Sequence, residues 1–537
     1  MGLARLIKAG LPMGLRRRLK HARADLRNRG MGPAERAVQW IRDNRIPGDG
    51  IAPFPGNPTA TQEVTGYTIP TLYQLGEKEL ACDLARWEAS VQRPDGAVVA
   101  LDGIPYTFDT AQAVRGFLAV LDDLPELEGN LRRACDYVAS QIDAAGRVLH
   151  ESYDTWMLEG GLMLSEYGNL YCLPPLLQAG QRLNERRYVT DAQRSMDYYR
   201  SKDDLMLFRP DMSMITHYLG YMTEACVDMG AVDLAEQGLK QAQALQRDDG
   251  SIPAFPGVNW VCSTGQAQLA IAWYKLGQPE PADRALAYME TLQNPTGGFY
   301  GSYGRGARYF PRQEIAWAAK FYLDACQWRI RTTFDREMTA YWDTISPKDG
   351  RIHAVQEALG DLAGRDVLDV GCGRGRYLRE LKSTYPSARL CGVDPSQKAL
   401  SHCPKGIQTR VGSMLNLPYP NHSFDAVLCV EALEHAMLID NAVREMTRVL
   451  RPGGRIVIVD KDASKSGALE RMSWEKWFAP RQVQDMLARN GVRSTFKPIP
   501  YDGHRADGLF VACTGIKEQS AGTMPPARQQ GAAHVDG

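Results

Sequence analysis

The sequence has little of three things that would narrow its class at once: net charge, long apolar runs and paired cysteines. Its 537 residues include 63 Lys and Arg and 63 Asp and Glu. A chain without overall basic charge lacks the surface that displaces counterions from nucleic acid, so we exclude a general nucleic-acid-binding protein. No apolar run reaches the ~18 residues that a membrane span needs. The 11 cysteines include no CxxC pair, which favours buried thiols in a reducing compartment.

The first residues lack the pattern of a targeting segment. Arg5 and Lys8 interrupt the apolar stretch that a secretory signal requires, and Leu6 stands where a myristoylation site has Ser or Thr. We therefore expect a cytoplasmic enzyme. The charge balance is uneven, because residues 1–30 hold nine Lys and Arg and one acidic residue. This basic arm is either a peripheral contact with an anionic membrane or a solvated tail.

Short turn-like segments recur along the front of the chain, at intervals of 45 to 59 residues. Between them, apolar residues follow three- and four-residue steps, which predict amphipathic helices. About 45 residues accommodate two helices of about 15 residues and their connections. Six intervals therefore predict six helical hairpins. The repeated turns lie at Gly50, Gly96, Gly146, Leu205, Gly250, Gly297 and Gly350.

The turns QRDDGS and QNPTGGF resemble those of the α/α toroid of terpenoid cyclases and protein prenyltransferases, over about residues 35–330. The resemblance implies that the hairpins close into a ring rather than stack into an open solenoid. It does not extend to catalysis. The DxDD acid of hopene-forming cyclases is missing, and no convincing zinc set of the prenyltransferases aligns, so we expect neither activity.

Polar residues stand at matching starts of the predicted inner helices. In a closed toroid they converge on one mouth of a central cavity, where acids beside aromatic side chains suit a sugar. The alternative is that they cap helix starts, and that the aromatic residues are core. The cavity candidates are Glu63, Asp109, Glu166, His217 and Glu314, with Tyr167, Thr264 and Gln313 at equivalent positions. The aromatic residues in the intervening loops are Tyr106, Tyr153, Trp156, Trp260, Tyr300 and Tyr303.

From about Arg365 the pattern changes to strand, turn and helix. A short apolar strand, 367–370, runs into a glycine-rich turn and then a predicted helix. Glycines suit a backbone that turns sharply and approaches a ligand. The next strand ends in Asp394, 19 residues after Gly375, and a carboxylate there can accept both ribose hydroxyls of a nucleoside.

The segments VLDVGCGRG, LCGVDPS, VGSMLNLPYPNHSFDAVLCVEALEH and REMTRVLRPGGRIVIV follow one another in order. Together they resemble class I S-adenosylmethionine-dependent methyltransferases of the ubiquinone/menaquinone type (methyltransferase type 11). The resemblance implies a Rossmann-like α/β fold and S-adenosylmethionine as cofactor. The GxGxG form differs from the GxGxxG fingerprint of NAD-binding proteins, which disfavours a nicotinamide cofactor.

The resemblance also implies roles for individual residues. Asp394 binds the ribose, and Ser413 and Met414 stand where the family usually has the Asp-Ala pair of the adenine site. His435 is our candidate for a general base, with His504 as the second candidate, because imidazole titrates near neutral pH. The sequence shows no metal-ligand cluster. The remaining cofactor-binding candidates are Asp369, Gly371, Gly373, Gly375, Val430 and Glu431.

The sequence thus predicts a multidomain protein, an all-α toroid joined to an α/β Rossmann-like methyltransferase. We expect a helix over Phe334 to Ile345 that covers the cofactor, and an insertion with Trp474, Trp477 and Phe478 that walls the pocket. The predicted boundaries are a basic arm at 1–30, the toroid at 31–330, the methyltransferase domain at 331–516 and a disordered tail at 517–537.

Three functions remain open from the sequence. The first is O-methylation of a sugar, glycan or other hydroxylated acceptor that the toroid helps to present. The second is a bifunctional enzyme, with a separate carbohydrate lyase, epimerase or hydrolase activity in the toroid. The third is a methyltransferase whose toroid is a scaffold for a protein partner. A cofactor-binding domain that no longer catalyses is a more remote alternative.

Overall fold

The computed structural model describes residues 13–149, 166–337, 343–465, 475–500 and 509–519, with the side chains of the first helix described from residue 18. The chain divides into two compact units, Met1–Glu337 and Met338–Gly537. Among the helices of the described ranges, none has the length and apolar character needed to cross a bilayer.

The first unit is helical. Pro33, Pro174 and Pro279 stand at the first or second position of three helices, where the missing N–H of proline has no intrahelical partner. The described helices are α1 (Met13–Arg27), α2 (Pro33–Asp43), α3 (Gln62–Gln74), α4 (Lys78–Val91), α5 (Thr107–Val120), α6 (Glu128–Ser140), α7 (Leu173–Arg182), α8 (Arg186–Arg200), α9 (Thr216–Asp228), α10 (Val232–Ala244), α11 (Ser263–Lys275), α12 (Pro279–Thr291) and α13 (Ala316–Glu337). A 3₁₀ segment, Glu166–Cys172, precedes α7, and two short strands, β1 (Val261–Cys262) and β2 (Ser302–Tyr303), pair antiparallel.

From α2 onward the helices alternate between two environments. Helices α3, α5, α9 and α11 are buried on almost every side, whereas α2, α4, α8, α10 and α12 bury one face. A helix that is apolar all round is an interior helix, and an amphipathic one covers it. Contacts between helices follow the order α3, α5, α7, α9, α11 and α13, and α13 also contacts α3.

Three of the repeated turns share the same set of contacts with a neighbouring hairpin. In the turn after α10, Gln246 donates a hydrogen bond to the carbonyl of Gly250 (3.2 Å) and accepts one from Arg284 of α12 (2.6 Å). The turn glycine has a positive φ and lies so close to the arginine backbone that a Cβ atom would collide with the arginine carbonyl oxygen. The same set recurs as Gln92, Gly96 and Arg133, and as Gln293, Gly297 and Arg36.

The structure differs from the predicted repeat at its C-terminal end. Gly350 is not a hairpin turn but the first residue of a helix in the second unit, because the Asp349 side chain accepts a hydrogen bond from the Arg351 N–H (2.8 Å) and caps that helix. The separate helix expected over Phe334 to Ile345 also differs. Helix α13 continues to Glu337, residues 338–342 lie outside the described residues, and Asp343 is not helical.

Part of the basic arm packs against the helical unit. Lys20 of α1 forms an ion pair with the buried Glu314 (2.9 Å), and Asn28 donates to the carbonyl of Pro295 (2.9 Å). The described half of the arm is therefore bound to its own chain. The predicted tail lies outside the described residues beyond residue 519.

The second unit is a seven-stranded sheet with helices. Its strands lie in the order β5-β4-β3-β6-β7-β9-β8, and all pairs are parallel except those that β9 makes. The order turns at β3, between β4 and β6, and the crevice at the carboxyl end of such a turning point is where α/β sheets bind ligands. The strands are β3 (Asp366–Val370), β4 (Arg389–Asp394), β5 (Gln408–Val411), β6 (Phe424–Val430), β7 (Leu450–Lys461), β8 (Val492–Ile499) and β9 (Phe510–Lys517). The helices are α14 (Gly350–Leu359), α15 (Arg376–Thr384), α16 (Gln397–Leu400), α17 (Ile439–Val449) and α18 (Pro480–Arg489).

Candidate functional site

The turn between β3 and α15 forms an open glycine cradle. Gly371 has φ +76°, and a Cβ atom there would lie 2.5 Å from the Cβ of Ala432, so no larger residue fits. Gly375 has φ +73° and is the N-cap of α15. A Cβ atom on Gly373, in contrast, would meet nothing within 4 Å. The backbone at Gly373 therefore faces open space at the carboxyl end of the sheet.

Two carboxyl groups flank this cradle. Asp394, at the end of β4, accepts hydrogen bonds from the backbone N–H of Gly373 and of Ser396, both at 2.9 Å. Asp369, in β3, is buried, and its Oδ2 has no hydrogen-bond partner in the described part of the chain. Burial and the nearby charge of Asp394 raise the pKa of Asp369 to about 8. A buried acceptor without a partner is costly to the fold and marks a place for a cation or donor.

Ser413, Met414 and Val430 lie at or just after the carboxyl ends of β5 and β6, on the same edge of the sheet as the glycine cradle. The Met414 side chain lies 3.7 Å from the position of a Cβ atom on Gly371. Ser413 Oγ accepts a hydrogen bond from the Leu415 N–H (3.1 Å), which leaves this hydroxyl as an uncharged polar group beside the crevice. Val430 is buried at the end of β6, next to β3 in the sheet.

Glu431 is held in an ion-pair chain that the sequence did not predict. Its carboxylate binds Arg351 and Arg376 at 2.5 Å each, and Arg351 also binds Asp349 (2.6 Å). Glu431 has φ +52°, a strained conformation for a residue with a side chain. These ion pairs join the start of α14, the start of α15 and the end of β6. Of the residues in these ion pairs, only Arg376 belongs to the glycine-rich segment GRGR.

The model of the methyltransferase domain family matches residues 368–458. A fatty-acid O-methyltransferase of Mycolicibacterium smegmatis is 35% identical over 140 residues, which cover 25% of this chain and 49% of that protein. A demethylmenaquinone methyltransferase of Deinococcus radiodurans is 37% identical over 121 residues, covering 21% and 50%. The chain thus spans about half the length of these curated relatives. A solved S-adenosylmethionine-dependent methyltransferase of Thermotoga maritima, a possible histamine N-methyltransferase, covers 35% of this chain and 100% of its own, with 20% identity and a TM-score of 0.29.

Residues 368–458 form a methyltransferase domain. The domain has the Rossmann-like α/β fold that the sequence predicted, and its cofactor is S-adenosylmethionine. The residues present fit that cofactor. The unpartnered Asp369 carboxyl group suits the ammonium group of the methionine part, and Asp394 suits the ribose hydroxyls. The open space at Gly373 leaves room for the ligand between these two carboxyl groups.

His435 lies beside the methyltransferase crevice in a short 3₁₀ turn, Leu433–His435. Burial, and then the charge of Lys461, lower the pKa of His435 to about 4, so its imidazole is neutral at pH 7 and a weak base. Its Nε2 lies 3.6 Å from Glu434 Oε1, and Glu434 forms an ion pair with Lys461. The fold brings Glu434, His435 and Glu475 to one point, with possible metal-ligand atoms within 4.8 Å of one another. The sequence showed no such group because Glu475 lies about 40 residues away.

Trp477 and Phe478, the described part of the predicted aromatic wall, are both buried. The Phe478 carbonyl accepts a hydrogen bond from the Ala463 N–H (3.3 Å), just after β7. His504 and Trp474 lie outside the described residues, as do Tyr153 and Trp156 of the helical unit.

Three of the five predicted cavity residues, Glu63, Asp109 and His217, lie in the first turns of α3, α5 and α9. Glu63 and Asp109 interact electrostatically across the α3–α5 contact, and Glu63 also acts on Tyr218, the neighbour of His217. His217 donates to or accepts from Gln268 (2.6 Å), and burial lowers the pKa of His217 to about 4. These polar groups share the end of the unit at which the interior helices begin.

The other two predicted cavity residues have different roles. Glu166 forms an ion pair with Arg147 (2.7 Å). Glu314 accepts hydrogen bonds from Lys20 (2.9 Å), Trp40 (3.1 Å) and Thr296. A carboxylate with three donors stabilises the packing around it, so Glu314 differs from Glu63, for which no hydrogen bond is found in the described residues. Its partners lie up to 294 residues away, and sequence spacing could not reveal them.

The aromatic residues of the loops that the structure describes also differ in their surroundings. Trp260 is buried and packs edge to face on Phe255 (5.7 Å between ring centres), where it lines a cavity. Tyr106 is buried, with its hydroxyl donating to Asp102 (2.9 Å). The rings of Tyr300 and Tyr303 are tilted against each other, with 5.5 Å between their centres, and the Tyr303 hydroxyl donates to the Leu292 carbonyl (2.8 Å).

Proposed function

We propose that the protein transfers the methyl group of S-adenosylmethionine to an oxygen atom of a hydroxylated acceptor, and that the acceptor is a carbohydrate. The observation that carries the first half is the buried, unpartnered carboxyl group of Asp369 beside the open backbone at Gly373. A buried carboxyl group without a partner does not stabilise the fold, whereas a cationic ligand at this point would give it one.

The bound cofactor supplies an electrophilic methyl group on a sulfonium centre. Methyl transfer of this kind depends on alignment and on exclusion of water. Asp369 and Asp394 would fix the two ends of the cofactor, and Met414 and Val430 would exclude water from its sides. The ion pairs of Glu431 with Arg351 and Arg376 would keep the three elements around the crevice in register.

A hydroxyl acceptor must also lose a proton. His435 is neutral at pH 7 and therefore able to take one, although its lowered pKa makes it a weak base. We propose His435 as the group that receives the acceptor proton. The charge of Lys461 nearby favours an acceptor oxygen that develops negative charge.

We propose that the helical unit is an α/α toroid that binds the acceptor. The return of the contact order from α13 to α3 supports ring closure, as does the repeated glutamine and arginine interaction of the turns. The polar cluster at one end of the interior helices supports a binding role for that end. Sugars suit a surface that combines acids with aromatic rings.

Incubation of the full chain with methyl-tritiated S-adenosylmethionine and fractionated cell extracts tests the acceptor class. We expect label in a glycan or glycolipid fraction, and loss of that label in Asp369→Asn. Label confined to quinone or small phenol fractions would refute the carbohydrate acceptor while leaving the methyltransferase intact. Absence of transfer to any fraction, with calorimetric binding of the cofactor retained, would refute the proposed reaction.

A further inference from the structure

Two cysteine side chains lie against the glycine cradle of the methyltransferase domain. Cys372 belongs to the glycine turn after β3, and Cys403 lies in the short connection between α16 and β5. Both thiols donate a hydrogen bond to the carbonyl oxygen of Gly373, Cys372 at 3.9 Å and Cys403 at 3.5 Å. One backbone oxygen of the cradle therefore accepts from two thiols that are far apart in sequence.

The backbone around the two thiols leaves room for them. A Cβ atom on Gly392 of β4 would lie 2.6 Å from the Cys372 sulfur, and a Cβ atom on Gly375 would lie 3.0 Å from the Cys403 sulfur. Both distances are closer than a Cβ atom normally tolerates. Glycine at these two positions therefore lets both cysteine side chains approach the Gly373 carbonyl.

The two thiols also interact with each other. A hydrogen bond between them raises the pKa of Cys372 and lowers the pKa of Cys403, so Cys372 is the donor and the Cys403 sulfur is the acceptor. The charge of Arg379 lowers the pKa of Cys403 further. All 11 cysteines lie within the described residues, and the pKa of each of the other ten is raised.

The two cysteines differ in their access to solvent. Cys372 is buried, whereas Cys403 is half-buried. A reactive thiol combines a lowered pKa with access to solvent, and it is often placed beside a second thiol that completes a disulfide. The other half-buried cysteine, Cys391, has a raised pKa. Cys403 is therefore the thiol of this chain that an oxidant meets in its reactive form.

We propose that Cys372 and Cys403 form a reversible disulfide bond, and that this bond weakens binding of S-adenosylmethionine. A disulfide needs a distance of about 2.05 Å between its sulfur atoms, so the two turns must move toward each other. Both cysteines lie outside helices and strands, where such a movement is least costly. Disulfides in reducing compartments are usually transient and sense oxidants. The inference rests on cofactor binding and holds for any methyl acceptor.

Hydrogen peroxide is the oxidant that we assign to the reaction. The Cys403 thiolate attacks one peroxide oxygen, the O–O bond breaks, and the departing hydroxide takes up a proton to become water. The Cys372 sulfur then attacks the Cys403 sulfur, so that the S–S bond forms and the new S–O bond breaks. The second hydroxide leaves with the Cys372 thiol proton as water. The two thiols lose two electrons in all, and a dithiol reverses the reaction by thiol–disulfide exchange.

The disulfide would act on the cofactor through Gly373. Oxidation removes both thiol protons that the Gly373 carbonyl accepts, and it draws the glycine turn toward Cys403. The N–H of the same residue donates to Asp394 at 2.9 Å, and Asp394 is the carboxylate that suits the ribose. A cradle that is displaced from its preorganised position binds its ligand less tightly. The reduced protein is therefore the form that binds the cofactor well.

Peroxide treatment of the full chain tests the proposal. After oxidation the remaining thiols are blocked with iodoacetamide, and mass spectrometry of an unreduced digest should find peptides joined through Cys372 and Cys403. We expect the Kd for S-adenosylmethionine, measured by calorimetry, to rise about tenfold. It should return to its starting value after dithiothreitol. This reversal separates the disulfide from oxidation of methionine, which needs a dedicated reductase.

The redox potential of the pair gives a second readout. If the reduced protein binds the cofactor about tenfold more tightly, the cofactor must favour the reduced pair by the same factor. A tenfold change corresponds to about 30 mV for this two-electron couple. We therefore expect the reduction potential of the pair, measured in glutathione buffers, to be about 30 mV higher with saturating S-adenosylmethionine.

Serine variants show which thiols are responsible. Cys372→Ser and Cys403→Ser should each abolish the reversible change in Kd. Each variant is compared with itself before and after peroxide, so a different starting affinity does not affect the result. Cys391→Ser is the matched control, because Cys391 is half-buried in β4 and its thiol donates to Gln408 (3.8 Å) instead. It should retain the tenfold response.

Three results would overturn the proposal. The first is that no peptide joins Cys372 to Cys403 after peroxide. The second is that the joined protein binds S-adenosylmethionine as tightly as the reduced protein. The third is that Cys403→Ser retains the reversible response, which would assign it to other thiols.

Discussion

The backbone N–H of Gly373 donates a hydrogen bond to Oδ2 of Asp394 at 2.9 Å, joining the glycine turn after β3 to the end of β4. This bond fixes the distance between the cradle and the carboxylate that suits the ribose. Because Gly373 faces open space, its conformation is set by this bond rather than by packing of neighbouring side chains.

A methyl group on Gly373 should therefore weaken cofactor binding. In Gly373→Ala the added carbon enters space that the cofactor needs, and we expect about a tenfold to 100-fold increase in the Kd for S-adenosylmethionine by calorimetry. Gly406→Ala is the matched control, because Gly406 also has a positive φ and also faces open space. Each substitution costs about 1 kcal/mol of stability through its backbone conformation. Equal affinities in the two variants would contradict the assignment of the cradle.

Cofactor binding should release a proton from Asp369. The pKa of Asp369 is about 8 in the free protein because of burial and Asp394, and a bound ammonium group favours its ionised form. We therefore expect affinity to rise between pH 6 and pH 8. Calorimetry in buffers of different ionisation enthalpy measures the proton directly, and in Asp369→Asn this release should disappear. If Asp369→Asn released the same number of protons on binding the cofactor, the release would come from another group.

The free energy of unfolding of the helical unit should depend on pH because of Glu63. The pKa of Glu63 is about 7 when folded and near 4.5 when unfolded. The unfolded chain loses this proton first as pH rises, so the group's contribution to stability is full below about 4.5, declines up to about 7 and is constant above. Denaturant unfolding of the wild type and Glu63→Gln should differ by roughly 1–3 kcal/mol between these limits. Burial and the charge of Glu63 also raise the pKa of Asp109, so Asp109 contributes to the pH dependence in the same direction. If the wild type and Glu63→Gln showed the same pH dependence of stability, a raised pKa at Glu63 would be excluded.

Glu314 should behave as a structural residue. Burial alone would raise its pKa, but Lys20, Thr296 and Trp40 together lower the pKa of Glu314 below its usual value. This stabilising contribution is present above about pH 4.5 and declines as pH falls through the lowered value. Glu314→Ala leaves the buried donors Trp40 and Thr296 without their acceptor and removes the ion pair of Lys20, and we expect a loss of about 3–5 kcal/mol in denaturant unfolding. Glu314→Gln, which retains an acceptor, should lose less.

The cofactor crevice was more predictable than the cavity of the helical unit. Asp369, the glycines and Asp394 follow directly from the ends of two neighbouring strands, since local order in the sequence sets the order in a parallel sheet. The ion pairs of Glu431 were not predictable, because Arg351 lies 80 residues away and only the folded sheet brings them together.

Equivalent positions in the helical repeats did not have equivalent surroundings. Glu63 and Glu314 were both expected at helix starts facing a cavity, yet Glu314 is bound by Lys20 of α1 and Trp40 of α2. The repeat pattern of the sequence describes each hairpin alone. It contains no information on which side chains a distant segment, such as α1, will contact.

The contact between Arg36 and Gln293 spans 257 residues of sequence. During synthesis at about 5–20 residues per second, the first hairpin therefore waits roughly 13 to 50 s for its last neighbour. Throughout that interval the apolar surface of α2 is without the partner that covers it in the folded unit. The first hairpin thus forms well before its contact with the last turn becomes possible. Contacts between residues so far apart in sequence slow folding. The nascent helical unit should be a substrate for chaperones until the glutamine of the last turn has left the ribosome.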